Sequence, residues 1–211
     1  MKKIFLVFTA ALLISGTAFA GKSSFEVGVT YGNISTINKN NSQNHTDIGG
    51  LGVMIGYYEP IVSFLGAQAN AFLISPDDNI STTVNGTTTK QTNTSYSSFT
   101  VPFAFSAELM LALKIPVSIF DISAGAGIGY TLYDTKTTFY NSTTEVYTHQ
   151  FSVPVFAALG VRLGSFGIKA GCDFQFVFSQ YDSTNNKTEK LENNDLNFIN
   201  VFPYISAMFN F

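Results

Sequence analysis

The sequence predicts an all-β chain, an eight-stranded antiparallel up-and-down transmembrane β-barrel, and three observations lead there. About eight segments alternate apolar and polar residues with period two, each longer than the roughly 9–11 residues with which a tilted strand crosses a bilayer. The apolar faces of these segments are rich in aromatic residues and carry no charge, whereas the opposite faces are polar and hold the acids and bases. The connections between segments alternate strictly between short and long.

The chain opens with Met1-Lys2-Lys3, an apolar run from Ile4 to Ile14 and the small-x-small site Ala18-Phe19-Ala20. Residues 1–20 read as a secretory signal cut before Gly21, too short to serve as a membrane anchor. No cysteine stands immediately after that site and Cys172 is the sole cysteine, so neither a lipoprotein nor an intramolecular disulfide is expected. Residues 21–211 then form the barrel domain.

The first segment, Ser24 to Ile34, sets Phe25, Val27, Val29 and Tyr31 against Glu26, Gly28, Thr30 and Gly32. The second, Asp47 to Tyr58, sets Leu51, Val53, Ile55 and Tyr57 against Gly50, Gly52, Met54 and Gly56, and Glu59-Pro60 reads as a short turn. Ile61 to Ile74 alternates less cleanly, with Leu65, Ala67, Ala69, Ala71 and Leu73 opposing Gln68 and Asn70. In the fourth, Ser97 to Ala112, alternate residues from Phe99 to Leu111 oppose Thr100, Pro102, Ala104, Ser106 and Glu108, and a turn is expected at Lys114-Ile115-Pro116.

The fifth runs from about Val117 to Tyr133 with Phe120, Ile122, Ala124, Ala126, Ile128 and Tyr130 outside and Asp121, Ser123, Gly125, Gly127 and Gly129 inside. The sixth, Thr148 to Leu163, faces Phe151, Val153, Val155, Ala157, Leu159, Val161 and Leu163 outward, and Gln150, Ser152, Pro154, Phe156 and Arg162 inward. After Gly164-Ser165 the seventh, Phe166 to Phe178, is the clearest: Phe166, Ile168, Ala170, Cys172, Phe174, Phe176 and Phe178 on one face, Lys169, Asp173 and Gln175 on the other. The eighth covers about Asp195 to Phe211.

Long connections, Ser35 to Thr46, Ser75 to Tyr96, Asp134 to Tyr147 and Gln180 to Asn194, are rich in Asn, Thr and Ser and read as external loops. The short ones would face the periplasm. A weak repeat, Phe99-Thr100-Val101-Pro102-Phe103, Phe151-Ser152-Val153-Pro154-Val155 and Val201-Phe202-Pro203-Tyr204, marks strands returning from long loops. Because proline removes a ladder donor, each copy is expected at a bulge or register device. If Pro203 faced inward, Phe209 and Phe211 would too, so the last strand needs either a bulge or an outward proline.

Without the leader, nine basic residues oppose 14 acidic ones, a net charge of about −5 that disfavours a nucleic-acid partner. Phe supplies 21 residues and Tyr 10, yet only 12% of the chain is charged, which is meagre for a soluble domain of this size. A lipocalin-type soluble barrel would invert the pattern, apolar inside and polar outside. No later stretch reaches the length of a spanning helix, so membrane residence requires strands.

The inward charges are Glu26, Glu108, Asp121, Arg162, Lys169 and Asp173. They are expected to form a buried network with Arg162 and Lys169 at its centre, since an eight-stranded barrel is just wide enough to be filled by side chains. The competing expectation is a narrow pore whose surplus acids attract small cations. Catalysis is not expected: the only histidines are His45 and His149, and an odd separation turns His149 and Ser152 to opposite faces. With no cysteine partner, the histidines offer no metal site, and no cofactor is expected. Asn-x-Ser/Thr triplets such as Asn85-Gly86-Thr87 follow from loop composition and carry no function. Tyr57, Tyr58, Phe64, Phe120, Phe166, Phe209 and Phe211 are expected in a periplasmic aromatic girdle, and Tyr31, Phe99, Tyr133, Phe151 and Phe178 in an outer one.

The leader, eight amphipathic segments, short-long alternation and terminal Phe209 and Phe211 together resemble the small outer-membrane β-barrel family, which includes outer-membrane protein X, the opacity proteins and the membrane domain of outer-membrane protein A. The resemblance spans residues 21–211. It implies a monomer in the lipid of a bacterial outer membrane, exported through the periplasm. It also makes Tyr204, Phe209 and Phe211 a C-terminal signal for the barrel-assembly machinery, although the glycine often found there is missing. It implies a structural or adhesion-type role through four external loops, toward an extracellular or host-surface partner, with a porin-like channel as the alternative.

Overall fold

Alternating strands rich in Val, Ile, Thr, Phe and Tyr can satisfy their backbone in an apolar medium only by pairing until no edge remains. The computed structural model describes residues 22–38, 41–62, 64–77, 80–84, 87–91, 97–101, 103–139, 142–184, 187–191 and 198–211. The leader and Pro102 lie outside the described residues. Among the described residues twelve strands are formed: β1 (Ser24–Asn38), β2 (Asn41–Val62), β3 (Leu65–Pro76), β4 (Ile80–Val84), β5 (Thr87–Gln91), β6 (Ser97–Thr100), β7 (Ala104–Val117), β8 (Phe120–Phe139), β9 (Ser142–Leu163), β10 (Phe166–Thr184), β11 (Lys187–Leu191) and β12 (Phe198–Asn210). The ring runs β1-β12-β10-β9-β8-β7-β3-β2 and closes where β2 pairs with β1, every pairing antiparallel.

Closure fixes which face each residue takes. Leu51, Leu109, Ile128 and Ile205 are more than half exposed on the outer wall, while Glu26, Glu108, Asp121, Lys169 and Asp173 are buried within the ring. The seventh segment keeps its pattern: Ile168, Phe174, Phe176 and Phe178 are exposed and Lys169, Asp173 and Gln175 buried. This is the polarity of a barrel in lipid, opposite to that of a soluble ligand carrier.

Two of the three proline copies depart from the bulge expectation, the last by taking the outward alternative. β1 and β12 pair as Thr30↔Tyr204 and again as Asn33↔Val201, the same register on both sides of Pro203. Pro203 points outward, and Phe209 and Phe211 are therefore exposed as well. Pro154 faces inward, and the β8–β9 ladder steps from Ala126↔Val155 to Gly129↔Ser152 without a shift. At Pro203 and Pro154 one neighbour loses a stretch of ladder and the register stays intact, whereas between Thr100 and Ala104 the register against β8 shifts by one, from Thr100↔Lys136 to Ala104↔Tyr133, as expected of a bulge. Further irregularities fall at Ile37/Asn38, Pro60/Val62 and Val177/Ser179.

Two turns lie later than the sequence suggests. Glu59 and Pro60 belong to β2, and Lys114, Ile115 and Pro116 to β7, whose strand continues to a turn at Ser118 and Ile119. Ser118 has φ 59° and Gly164 φ 74°, the left-handed backbone that lets a two-residue turn reverse the chain. Most of the long connections are strands rather than loops. β1 and β2 stay paired to Asn38↔Asn41, β8 and β9 to Phe139↔Ser142, β10 and β11 to Thr184↔Lys187, and β4 and β5 form a hairpin beside β2. Threonine explains the difference, because its branched side chain suits a pleated surface while its hydroxyl reads as loop-like polarity.

The interior is divided. Ile34, Ile48, Met54, Phe72, Ile74 and Phe202 pack beside β1, β2, β3 and β12, with the Phe72 and Phe202 rings stacked at 4.8 Å, while the walls from β7 to β10 carry most of the polar groups. Tyr58 and Tyr133 join the interior, not the girdles in which they were expected. Their even and odd positions, respectively, share a face with Met54 and with Asp121, so alternation alone turns them inward. Tyr58 fits because Gly66, diagonal to it on β3, has no side chain: a Cβ there would lie 2.5 Å from its ring.

Candidate functional site: the lumenal polar network

At the short-turn end, Arg162 Nε lies 3.1 Å from Asp121 Oδ2 without the alignment of a hydrogen bond, and Arg162 Nη2 donates to the Ser118 carbonyl at 3.1 Å. Arg162 is half-buried there and is not the centre of the network. Lys114 takes that end of the lumen, with Nζ 3.5 Å from Ser24 Oγ, 3.8 Å from Met208 Sδ and 5.0 Å from the Tyr58 ring centroid. Sequence reading assigned Lys114 to a turn. Its even position, shared with Glu108 and Met110, was the available signal that it faces inward.

One layer deeper, Lys169 Nζ donates to Glu26 Oε1 at 2.9 Å, and lies 5.5 Å from the centroid of Phe156. Ser206 Oγ stands 3.5 Å from Glu26 Oε2 and from the Lys169 carbonyl. The pair is almost wholly desolvated, so its attraction offsets a burial cost of several kcal/mol per ion only through geometry of this kind.

At mid-lumen, Gln68 Nε2 donates to Asn70 Oδ1 at 3.0 Å, and Asn70 Nδ2 donates to Asp173 Oδ2 at 3.3 Å. β3 and β10 stand four places apart in the ring of eight, so this bond joins opposite walls. Above it, Gln175 Nε2 donates at 2.6 Å both to Glu108 Oε1 and to Ser106 Oγ, and Thr131 Oγ1 donates to Gln175 Oε1 at 2.9 Å. Higher still, Asn200 Nδ2 bonds Gln150 Oε1 at 2.9 Å, Gln150 Nε2 reaches the Ser35 carbonyl at 2.9 Å and the Ser35 amide returns to Asn200 Oδ1 at 3.0 Å. The charged residues expected inside are there, with Arg162 at the short-turn end; Lys169 meets Glu26 and Arg162 meets Asp121 directly, whereas amides and a hydroxyl surround Glu108 and Asp173. Those residues were on the inward face by alternation and were overlooked because neutral groups draw no attention in a search for charge.

On the outer wall, Tyr130 Oη and His149 Nδ1 are 2.6 Å apart, and Tyr130, Phe151 and Tyr181 make tilted and edge-on ring contacts. Ser152 is buried inside the ring, so the histidine and serine are on opposite faces as alternation requires. The described side chain of Phe64 is half-buried, and that of Phe99 lies outside the described residues. Of the terminal aromatics, Phe209 and Phe211 face outward while Tyr204 points into the lumen. No group of three His, Cys, Asp or Glu residues among those described is arranged to hold a metal.

An uncharged, aromatic outer wall around a closed ring filled with polar side chains defines a small transmembrane β-barrel. Its fold is that of solved outer-membrane barrels. Neisserial surface protein A superposes with a TM-score of 0.53 at 8% identity, covering 90% of this chain and 97% of that one. A major outer membrane protein from Thermus thermophilus gives 0.53 at 13%, covering 90% and 99%. The outer membrane protein OprG from Pseudomonas aeruginosa gives 0.54 at 10%, covering 91% and 96%. No protein-family model matches the sequence, and no curated protein matches it.

Proposed function

We propose that this chain is an integral protein of a bacterial outer membrane, freed of residues 1–20 after export and inserted by the barrel-assembly machinery. Its barrel is a closed anchor, and its work is done by the four strand-built projections at the hairpin end, which meet an extracellular or host-surface partner. The observation that supports a closed anchor is the bond between Asn70 and Asp173, which crosses the full width of the lumen. Gln175 to Glu108, Gln150 to Ser35 and the Phe72–Phe202 stack tie walls three places apart at other heights.

Planar-bilayer recording of the purified, refolded protein tests the anchor: silence is expected, and discrete cation-selective steps would establish the narrow channel instead. Removing residues 81–94 tests the surface role. Loss of binding to target cells with the barrel still heat-modifiable on gels is expected, and unchanged binding would count against that projection.

A further inference from the structure

We propose that the surface partner is a second copy of this chain in an opposing membrane, joined edge to edge through β5, an inference that rests on the surface role proposed above. Among the described residues β5 pairs with β4 alone, so its other margin keeps the unused amides and carbonyls of an edge strand. Thr87, Thr88, Thr89 and Lys90 are all exposed. Such a margin takes up another strand unless charge or shape forbids it.

β5 reads Thr-Thr-Thr-Lys-Gln, and two copies laid antiparallel about Thr89 use its whole length. Thr89 then faces Thr89, Thr88 faces Lys90 and Thr87 faces Gln91, so no like charges are opposed. Threonine across from threonine is a favourable cross-strand pair. The sheet is already built this way: Thr36↔Thr46, Thr46↔Thr82 and Thr82↔Thr89 make one row across β1, β2, β4 and β5. Thr46 Oγ1 and Thr82 Oγ1 are 3.4 Å apart, and Thr89 Oγ1 donates to the Thr82 carbonyl at 3.3 Å. A second copy continues that row in reverse order.

The other short strands outside the ring are less suited. Among the described residues β11 also pairs on one side only, with β10, but antiparallel self-pairing about its centre opposes Glu189 to Glu189, which is destabilising. β6 is only 4 residues long, and its pairing is with β8.

Symmetry then fixes where the second copy sits. Antiparallel pairing puts the two-fold axis at right angles to the sheet; β4 extends from β2 in the barrel wall, and that wall contains the membrane normal. A half-turn about such an axis inverts the normal. The two copies therefore belong to membranes that face each other, not to the same membrane. A contact 5 residues long is weak singly, but many copies held between two surfaces multiply it.

The test uses the full mature chain refolded into phosphatidylcholine vesicles free of lipopolysaccharide, with outward projections verified by protease accessibility and folded barrels by heat-modifiable migration. Energy transfer between donor-labelled and acceptor-labelled vesicles reads clustering. Wild-type vesicles are expected to cluster with one another and not with protein-free vesicles. Thr89→Lys and Thr89→Glu each oppose like charges at the centre of the pair, so either variant alone is expected to lose clustering. Mixing the two variant populations opposes Lys to Glu and is expected to restore it. Dispersed wild-type vesicles, clustering with protein-free vesicles, clustering unchanged in both variants, or a mixture that fails to recover would each overturn the self-pairing. Target-cell binding that still depends on residues 81–94 would then leave the surface role standing with a different partner.

Discussion

Lys169 on β10 and Glu26 on β1 form an ion pair at 2.9 Å with their side chains 6% and 2% exposed, the most deeply buried charge pair among the described residues. Between the two strands stands β12, whose Ser206 touches both partners. The pair thus spans the strand through which the ring is sealed.

Replacing Lys169 by Met leaves Glu26 buried without its partner and is expected to cost about 3–5 kcal/mol. Adding Glu26→Gln should restore much of that loss, because both charges are then gone. Urea unfolding in detergent, followed by the heat-modifiable gel shift, measures the double-mutant cycle. A Lys169→Met variant as stable as the parent would mean that the pair contributes nothing.

Gly171 leaves room for the Tyr204 ring: a Cβ there would approach Tyr204 Cζ to 2.6 Å and the Ala158 Cβ to 2.7 Å. Gly171→Ala is therefore expected to destabilise the barrel by about 1–3 kcal/mol through overpacking. Gly160, whose nearest neighbours would be 3.5 Å or more from a new Cβ, is the matched control. Similar losses at both positions would assign the effect to glycine content in general.

Phe174 is exposed near the middle of the outward face of β10. Phe174→Lys should reduce folding stability in lipid bilayers by about 2–4 kcal/mol, the cost of a cation near the midplane of a barrel's lipid face. The same substitution at Phe211, exposed at the end of the chain's last described strand, should cost far less. Equal effects would show that the belt is misplaced.

Beyond the belt, Lys136 lies 2.7 Å from Glu145 across the β8–β9 hairpin and 3.7 Å from Asp134 on its own strand. The bond to Glu145 is the main reason the Lys136 pKa lies above the ordinary lysine value, with the charges of Glu145 and Asp134 adding to it. A raised lysine pKa stabilises the hairpin fully below the unfolded value, and the benefit disappears as pH rises through the folded one. Amide exchange at the hairpin should therefore accelerate at alkaline pH, and Glu145→Gln should shift that onset downward. The effect is small because the pair is open to solvent. An onset unmoved by the substitution would disconnect the pair from hairpin stability.

The wall was legible because period two is a strict rule: Phe166 to Phe178 sorts into lipid-facing and lumen-facing sets with no reference to any other strand. The same rule, applied evenly, turns Tyr58 and Tyr133 inward, and they were misplaced only because aromatic residues near strand ends suggest a girdle. Turn positions were less legible, since Pro60 and Pro116 read as chain reversals while the closing ladder tolerates them. The lumenal network was half visible. Alternation identifies its members, but whether Asn70 meets Asp173 depends on the ring's diameter and stagger, which no single segment encodes. Likewise, threonine-rich connections look like loops until a neighbouring strand supplies a ladder.

The seam between β1 and β12, where Ser24 faces Asn210, joins the two elements farthest apart along the chain, whereas the other ring contacts link strands that are consecutive once β4, β5, β6 and β11, which lie outside the ring, are passed over. Hairpins can therefore zip locally and early, but the cylinder stays an open ribbon with two sticky margins until its extremes find each other. Closure of the ring on its own first strand is thus a kinetic matter: any delay at this final join gives a second ribbon the chance to complete the wrong circle.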